Sequence, residues 1–184
     1  MDLSLLQGIS DLPADATMWR AAIVNENEAR AAAGLTMVAG AVAFSYAYFA
    51  KRYVPLQITA SLFFVEFTIR ITAGIRYSPF GILARAITSH RSPEWVSARP
   101  KRFAWTLGLA MAFAMTVITN VGIRGALPRT MCLICLTLMW MESVLGLCLG
   151  CKIHNLLVRQ GWAKKYAIEL CADGRCEPPA RARR

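Results

Sequence analysis

Six cysteines stand in three close pairs: Cys132 and Cys135 in CLIC, Cys148 and Cys151 in CLGC, and Cys171 and Cys176 in CADGRC. Two intervening residues put both thiols of a CxxC within reach of one partner atom at a helix end. That suits a disulfide, a persulfide relay or half of a metal site. Taken together, Cys148, Cys151, Cys171 and Cys176 read as C-x2-C-x19-C-x4-C, inside the loose spacing of tetrahedral zinc sites. An Asp-Gly turn at Asp173 and Gly174 brings the last two thiols together, and His154 is a spare ligand. Zinc is the metal such a set would take. The plain alternative is packing, since free cysteine often behaves as a small buried hydrophobe.

Three ionisable residues inside apolar runs form a second candidate set. Glu66 and Arg70 are four apart with the acid first, the favoured order for an ion pair on one helix face. Glu142 lies six residues before Cys148, roughly 9 Å along a helix axis. Charges within a membrane segment line polar cavities or pair for a proton or anion path. The structural alternative is a set of internal ion pairs, with Glu142 answering Arg70 or Arg76. Thr116, Thr119 and Asn120 add polar groups suited to hydrogen bonds between helices.

The elements that carry these residues follow from composition. The 184-residue chain is 56% hydrophobic and only 17% charged, with a mean hydropathy of +0.41. A soluble domain is nearer a quarter charged. A helix crosses about 30 Å of hydrocarbon with about 20 apolar residues. Four stretches meet or approach that length: 31–50, 54–75, 103–123 and 127–151. The predicted architecture is an all-α integral membrane protein, four transmembrane helices in a bundle plus short interfacial amphipathic helices. Residues 1–30 form a cytoplasmic or interfacial N-terminal segment and 31–157 the transmembrane domain, with a cytoplasmic middle loop at about 76–102. Residues 158–184 make a basic tail. The start lacks a basic region and a continuous apolar core, so no cleavable signal peptide is expected.

Sidedness follows from the basic residues, because those in short loops are retained in the cytoplasm. Of 21 Lys and Arg, 17 fall on the side of the termini and middle loop, and 4 (Lys51, Arg52, Arg124 and Arg129) on the other. Both termini are therefore expected in the cytoplasm. The positive charge attracts anionic lipid; without basic and aromatic interleaving it does not indicate nucleic-acid binding. Asn25 with Glu28 is expected to cap the first helix, and Pro79 to open an amphipathic helix around Arg85. Pro93 and Pro100 are read as breakers, with Lys101, Arg102, Trp95 and Trp105 as interfacial anchors. On this reading one continuous helix holds Cys132 and Cys151 about 28 Å apart and ends at CLGC. Its C-terminal dipole would oppose a thiolate there, leaving Lys152 and His154 to offset it. The reducing cytosol favours reactive or metal-bound thiols over a lasting disulfide.

The stretches ARPKRFAW and ESVLGLCLGCKIHNLL, with Glu142, Cys148, Gly150 and Cys151, resemble the domain of unknown function 4395, a group of small bacterial integral membrane proteins. The resemblance covers about residues 25–157, and His154 stands where that family commonly has a tyrosine. Members accompany thioredoxin-like and sulfurtransferase proteins, so the resemblance implies sulfur handling with a partner of that kind. By architecture alone, CLIC near the outer start of the fourth crossing is similar to quinone-linked oxidoreductases of the vitamin K epoxide reductase type. The outer loops, however, hold no shuttle cysteine.

The expected function is an inner-membrane protein handling sulfur or thiol redox. Cys148 and Cys151 would relay sulfane sulfur or electrons on the cytoplasmic side, coupled to passage of a small sulfur anion past Arg70 and Glu142. Three alternatives stand beside it: a quinone-linked oxidoreductase centred on Cys132 and Cys135, a non-catalytic protein with a cytoplasmic four-cysteine zinc site, and a plain transporter. No Walker loop, HExxH or serine elbow points to a soluble-type enzyme.

Overall fold

Asn25 starts the first long helix. Its side-chain oxygen accepts the N–H of Asn27 at 3.2 Å, and its amide nitrogen donates to Glu28 Oε1 at 3.3 Å. In the computed structural model, which describes residues 23–162, α1 spans Glu26–Phe49, α2 Val54–Thr72, α3 Pro79–Thr88, α4 Ala98–Asn120, α5 Ala126–Ser143 and α6 Leu149–Arg159. A 3-10 turn at Ile75–Tyr77 links α2 to α3. Ser78 caps α3 by accepting the Gly81 N–H at 3.1 Å, with Pro79 at the first helical position. The expected cap at Asn25 and the expected amphipathic helix are both present.

A two-stranded ribbon has no counterpart in the sequence reading. β1 (Ile23–Asn25) pairs antiparallel with β2 (Trp95–Ser97), Ile23 opposite Ser97 and Asn25 opposite Trp95. Further hydrogen bonds reinforce it: Asn25 Oδ1 also accepts the Glu94 N–H at 3.2 Å, and the Glu26 N–H donates to the Glu94 carbonyl at 2.7 Å. The ribbon fixes the start of α1 beside the start of α4. Helix α3 stops at Thr88, ahead of both expected breakers, Pro93 and Pro100, and Pro100 lies inside α4. It sits in the first turn of α4, where an N–H has no intrahelical partner to lose.

Helices α1, α2 and α4 are long and apolar enough to cross a membrane. The chain packs α1 against α2, α3 and α5, and α4 against α2 and α6. Small residues make these approaches close: Ala29, Ala32, Ala43, Ala47 and Ala60 are buried between helices. The opposite faces expose Val42, Ile58, Val65, Phe113 and Ile134. In water such a surface would be an interaction patch, whereas in lipid it is the ordinary solvent-facing side.

The largest departure from the sequence reading is at the end of α5. The expected helix to Cys151 stops at Ser143, although Val144–Leu149 continues the apolar run. Arg30 of α1 donates to the carbonyls of Ser143 and Val144 at 3.3 and 3.2 Å, satisfying the end of the helix. Gly146 then takes φ +66°, turning the chain into α6 with Arg30 only 3.3 Å from where a Cβ would stand.

Candidate functional site

Because of that turn, CLGC begins a helix instead of ending one. Cys148 is the N-cap of α6, and its sulfur accepts the Cys151 N–H at 3.3 Å. The dipole argument therefore reverses: the positive end of α6 and a backbone N–H both stabilise negative charge on the Cys148 sulfur. Cys148 and Cys151 form a disulfide with their Cα atoms 5.2 Å apart. Cys148 is 8% exposed, whereas Cys151 is only half-buried, so the two sulfurs face different surroundings.

Cys148 borders a cavity of about 130 Å³ inside the bundle. Its walls come from α1, α2, α4, α5 and the start of α6, with Phe63, Phe67, Leu107 and Met111 among the apolar lining. The free thiols Cys132 and Cys135 line the same cavity, as does Glu142. The sequence reading sets the two cysteine pairs apart at opposite ends of one rod; the break after Ser143 removes the rod, and a shared cavity joins them.

Two ion-pair clusters flank this cavity region. Arg70 Nε donates to Glu66 Oε1 at 2.8 Å, as the i, i+4 spacing predicts, with side chains 2% and 0% exposed. Arg70 Nη2 also donates to Thr36 Oγ1 at 3.3 Å, and Glu66 Oε2 accepts the Phe80 N–H at 3.3 Å. This cluster locks α1, α2 and α3 together with its charges satisfied, which supports the structural reading of the pair. Glu142 makes no direct salt bridge to Arg70 or Arg76, although its charge is near enough to Arg70 to act on it through space. Lys101 bridges it at 3.0 Å to Glu26 at 2.9 Å, joining the starts of α1 and α4 to the end of α5.

Lys101 and Glu26 escape sequence reasoning. Lys101 sits in a basic run that reads as a headgroup anchor, yet it is 3% exposed, and Trp105 is buried at 4%. The reason is its two acidic partners, distant in sequence, which make burial of the ammonium tolerable. Asn120 does join helices, accepting from Gln57 Nε2 at 2.6 Å, whereas Thr116 and Thr119 donate to carbonyls of their own helix. Cys171 and Cys176 lie outside the described residues, so the four-cysteine zinc set is represented by Cys148 and Cys151 alone. Among the described residues no group of three or more His, Cys, Asp or Glu is placed to hold a metal ion.

Fold and site together define an all-helical bundle with three membrane-length helices, carrying a CxxC disulfide on a helix N-terminus against an internal cavity. The chain belongs to the family described as Domain of unknown function (DUF4395), whose sequence profile matches residues 24–159. No curated protein and no solved structure matches it.

Proposed function

We propose that this protein is a membrane thiol-redox protein in which Cys148 and Cys151 exchange electrons with a soluble thiol partner at the cytoplasmic face. The observation that carries the reading is the Cys148–Cys151 disulfide at the N-terminus of α6. A reducing thiolate attacks the more accessible sulfur, Cys151, and Cys148 departs as a thiolate stabilised by the helix end, the better leaving group of the two. The second thiol of the partner then resolves the mixed disulfide. One disulfide and one dithiol exchange two electrons and two protons in all. A thioredoxin-like or sulfurtransferase protein has the required chemistry, and sulfane-sulfur transfer through the same Cys151 is the second outcome to test.

In this proposal α5 is the fourth crossing. Its 18 residues span about 27 Å, and Arg129 and Glu142 sit near its two ends. The 17 to 4 distribution of basic residues supports a reading in which the termini, α3 and α6 lie on the cytoplasmic side of a bacterial inner membrane. Reporter fusions after Ala50 and after Gly125 are expected to read outside. An inside signal from both reverses the orientation and removes the reducing compartment from the argument.

The direct test uses the purified full chain in detergent and thioredoxin as the defined partner. With a thioredoxin variant that lacks its resolving cysteine and carries its remaining sulfur as an activated aryl mixed disulfide, the more accessible Cys151 of Cys148→Ser is expected to displace the aryl thiol and hold thioredoxin in a stable mixed disulfide. Cys151→Ser, whose remaining thiol is buried, should trap at least tenfold less. Labelling by a persulfide-selective reagent instead, confined to Cys151, would move the assignment to sulfur transfer. If both variants trap equally little and the wild-type disulfide resists reduced thioredoxin, the redox reading is wrong.

A further inference from the structure

We infer that the internal cavity is a binding site for the ring of a lipid-soluble quinone, which takes the electrons of the reduced Cys148/Cys151 pair. The inference rests on the proposed redox role and names the membrane-side reactant. Its first support is size and character: the cavity holds about 130 Å³ between apolar walls of the helical bundle. Engineered apolar cavities of about 150 Å³ bind benzene, so one six-membered ring fits.

The second support is what interrupts the apolar wall. Cys148 and Glu142 both line the cavity. The thiol is the buried member of the redox pair and the one whose charge the α6 N-terminus stabilises. Glu142, whose own side chain is 14% exposed, is held at 3.0 Å by Lys101, which also pairs with Glu26, 15% exposed. A redox group and a carboxylate that itself reaches the surface thus meet at one largely apolar pocket. Two-electron chemistry that also moves protons needs both.

The step balances. The Cys148 and Cys151 thiols lose two electrons and two protons and form the S–S bond; the quinone gains both electrons and becomes a quinol. Glu142 accepts the proton leaving Cys148 and passes it to the near quinone oxygen. The Cys151 proton leaves to water, and the other quinone oxygen takes its proton from water in exchange.

The test uses the full chain in detergent, reduced, freed of reductant and mixed anaerobically with a short-chain benzoquinone. One quinol is expected per Cys148–Cys151 disulfide formed, with a rate that saturates in quinone. Ala60→Phe and, separately, Met111→Trp fill the cavity and should raise half-saturation at least tenfold. Glu142→Gln should slow the saturated rate at least tenfold and flatten its pH profile, which a merely structural residue would not do. Thermal unfolding of each variant shows that it is folded, and two fillers at different helices keep the test open if one fails. Oxidised thioredoxin serves as the parallel oxidant. Reaction with thioredoxin but none with quinone, or a quinone rate that neither saturates nor responds to both fillers, overturns the cavity assignment alone. Failure with both oxidants overturns the redox role as well.

Discussion

Arg70→Met is expected to destabilise the protein by about 3–5 kcal/mol, the range found when one partner of a buried ion pair is removed. Glu66 would remain wholly buried, keeping the Phe80 N–H but losing its cation. Thr36 would lose its interhelical donor, since Arg70 Nη2 is what ties α1 to α2 there. The cost comes less from the lost attraction than from an uncompensated carboxylate in a low-dielectric interior. The double variant Glu66→Leu with Arg70→Met removes both charges and should recover most of the loss. Thermal unfolding in a mild detergent measures all three proteins. A single variant as stable as wild type, or a double variant no better than the single, contradicts the account of the cluster as a structural lock.

Gly150→Val is expected to destabilise the protein less, and by another route. A Cβ at Gly150 would lie 2.7 Å from Ala104 Cβ and 2.8 Å from Ala104 Cα, against an ordinary carbon contact of about 3.5–4.0 Å. Helix α6 would have to withdraw from α4 by about 1 Å to restore that contact distance, carrying Cys148 away from the cavity. The expected outcome is a loss of about 1–3 kcal/mol from overpacking and at least tenfold slower oxidation from the membrane side. Exchange with thioredoxin at the more accessible Cys151 depends less on this contact. Pairing Gly150→Ala with Ala104→Gly removes the Cβ–Cβ clash and should restore part of both losses relative to Gly150→Ala alone. Equal effects on both half-reactions would mean that α6 has unfolded instead of shifting.

What can be read from the sequence is whatever is local. Hydropathy locates the long helices, Asn25 and Ser78 with Pro79 behave as helix-start chemistry predicts, and Glu66 and Arg70 meet at their helical spacing. The misreadings share a different cause. Val144–Leu149 is apolar throughout apart from Gly146, so hydropathy runs through the break, which depends on a positive φ and on Arg30 from a helix more than a hundred residues earlier. The sign of the dipole at CLGC turns on that single break. Lys101 looks like an anchor because the acids that bury it, Glu26 and Glu142, are 75 and 41 residues away. Three-residue strands are too short for an alternating pattern to register. The cavity is a property of helix spacing, which no single segment encodes.

The β1–β2 ribbon imposes a rule of parity. Backbone pairing between residues 23–25 and 95–97 requires both to lie at one end of the bundle. A membrane cannot separate two hydrogen-bonded strands, so the number of crossings between them is even. Either α1 and α2 both traverse the bilayer or neither does. The contact of Gly150 with Ala104 extends the rule, because α6 must return to the end where α4 began. If α4 crosses, α5 must cross back. The loops at Lys51 and Arg124 are consequently not independent: where these helices cross, both loops face the same compartment, and a reporter pair that disagrees reports on the fusions instead of on the protein.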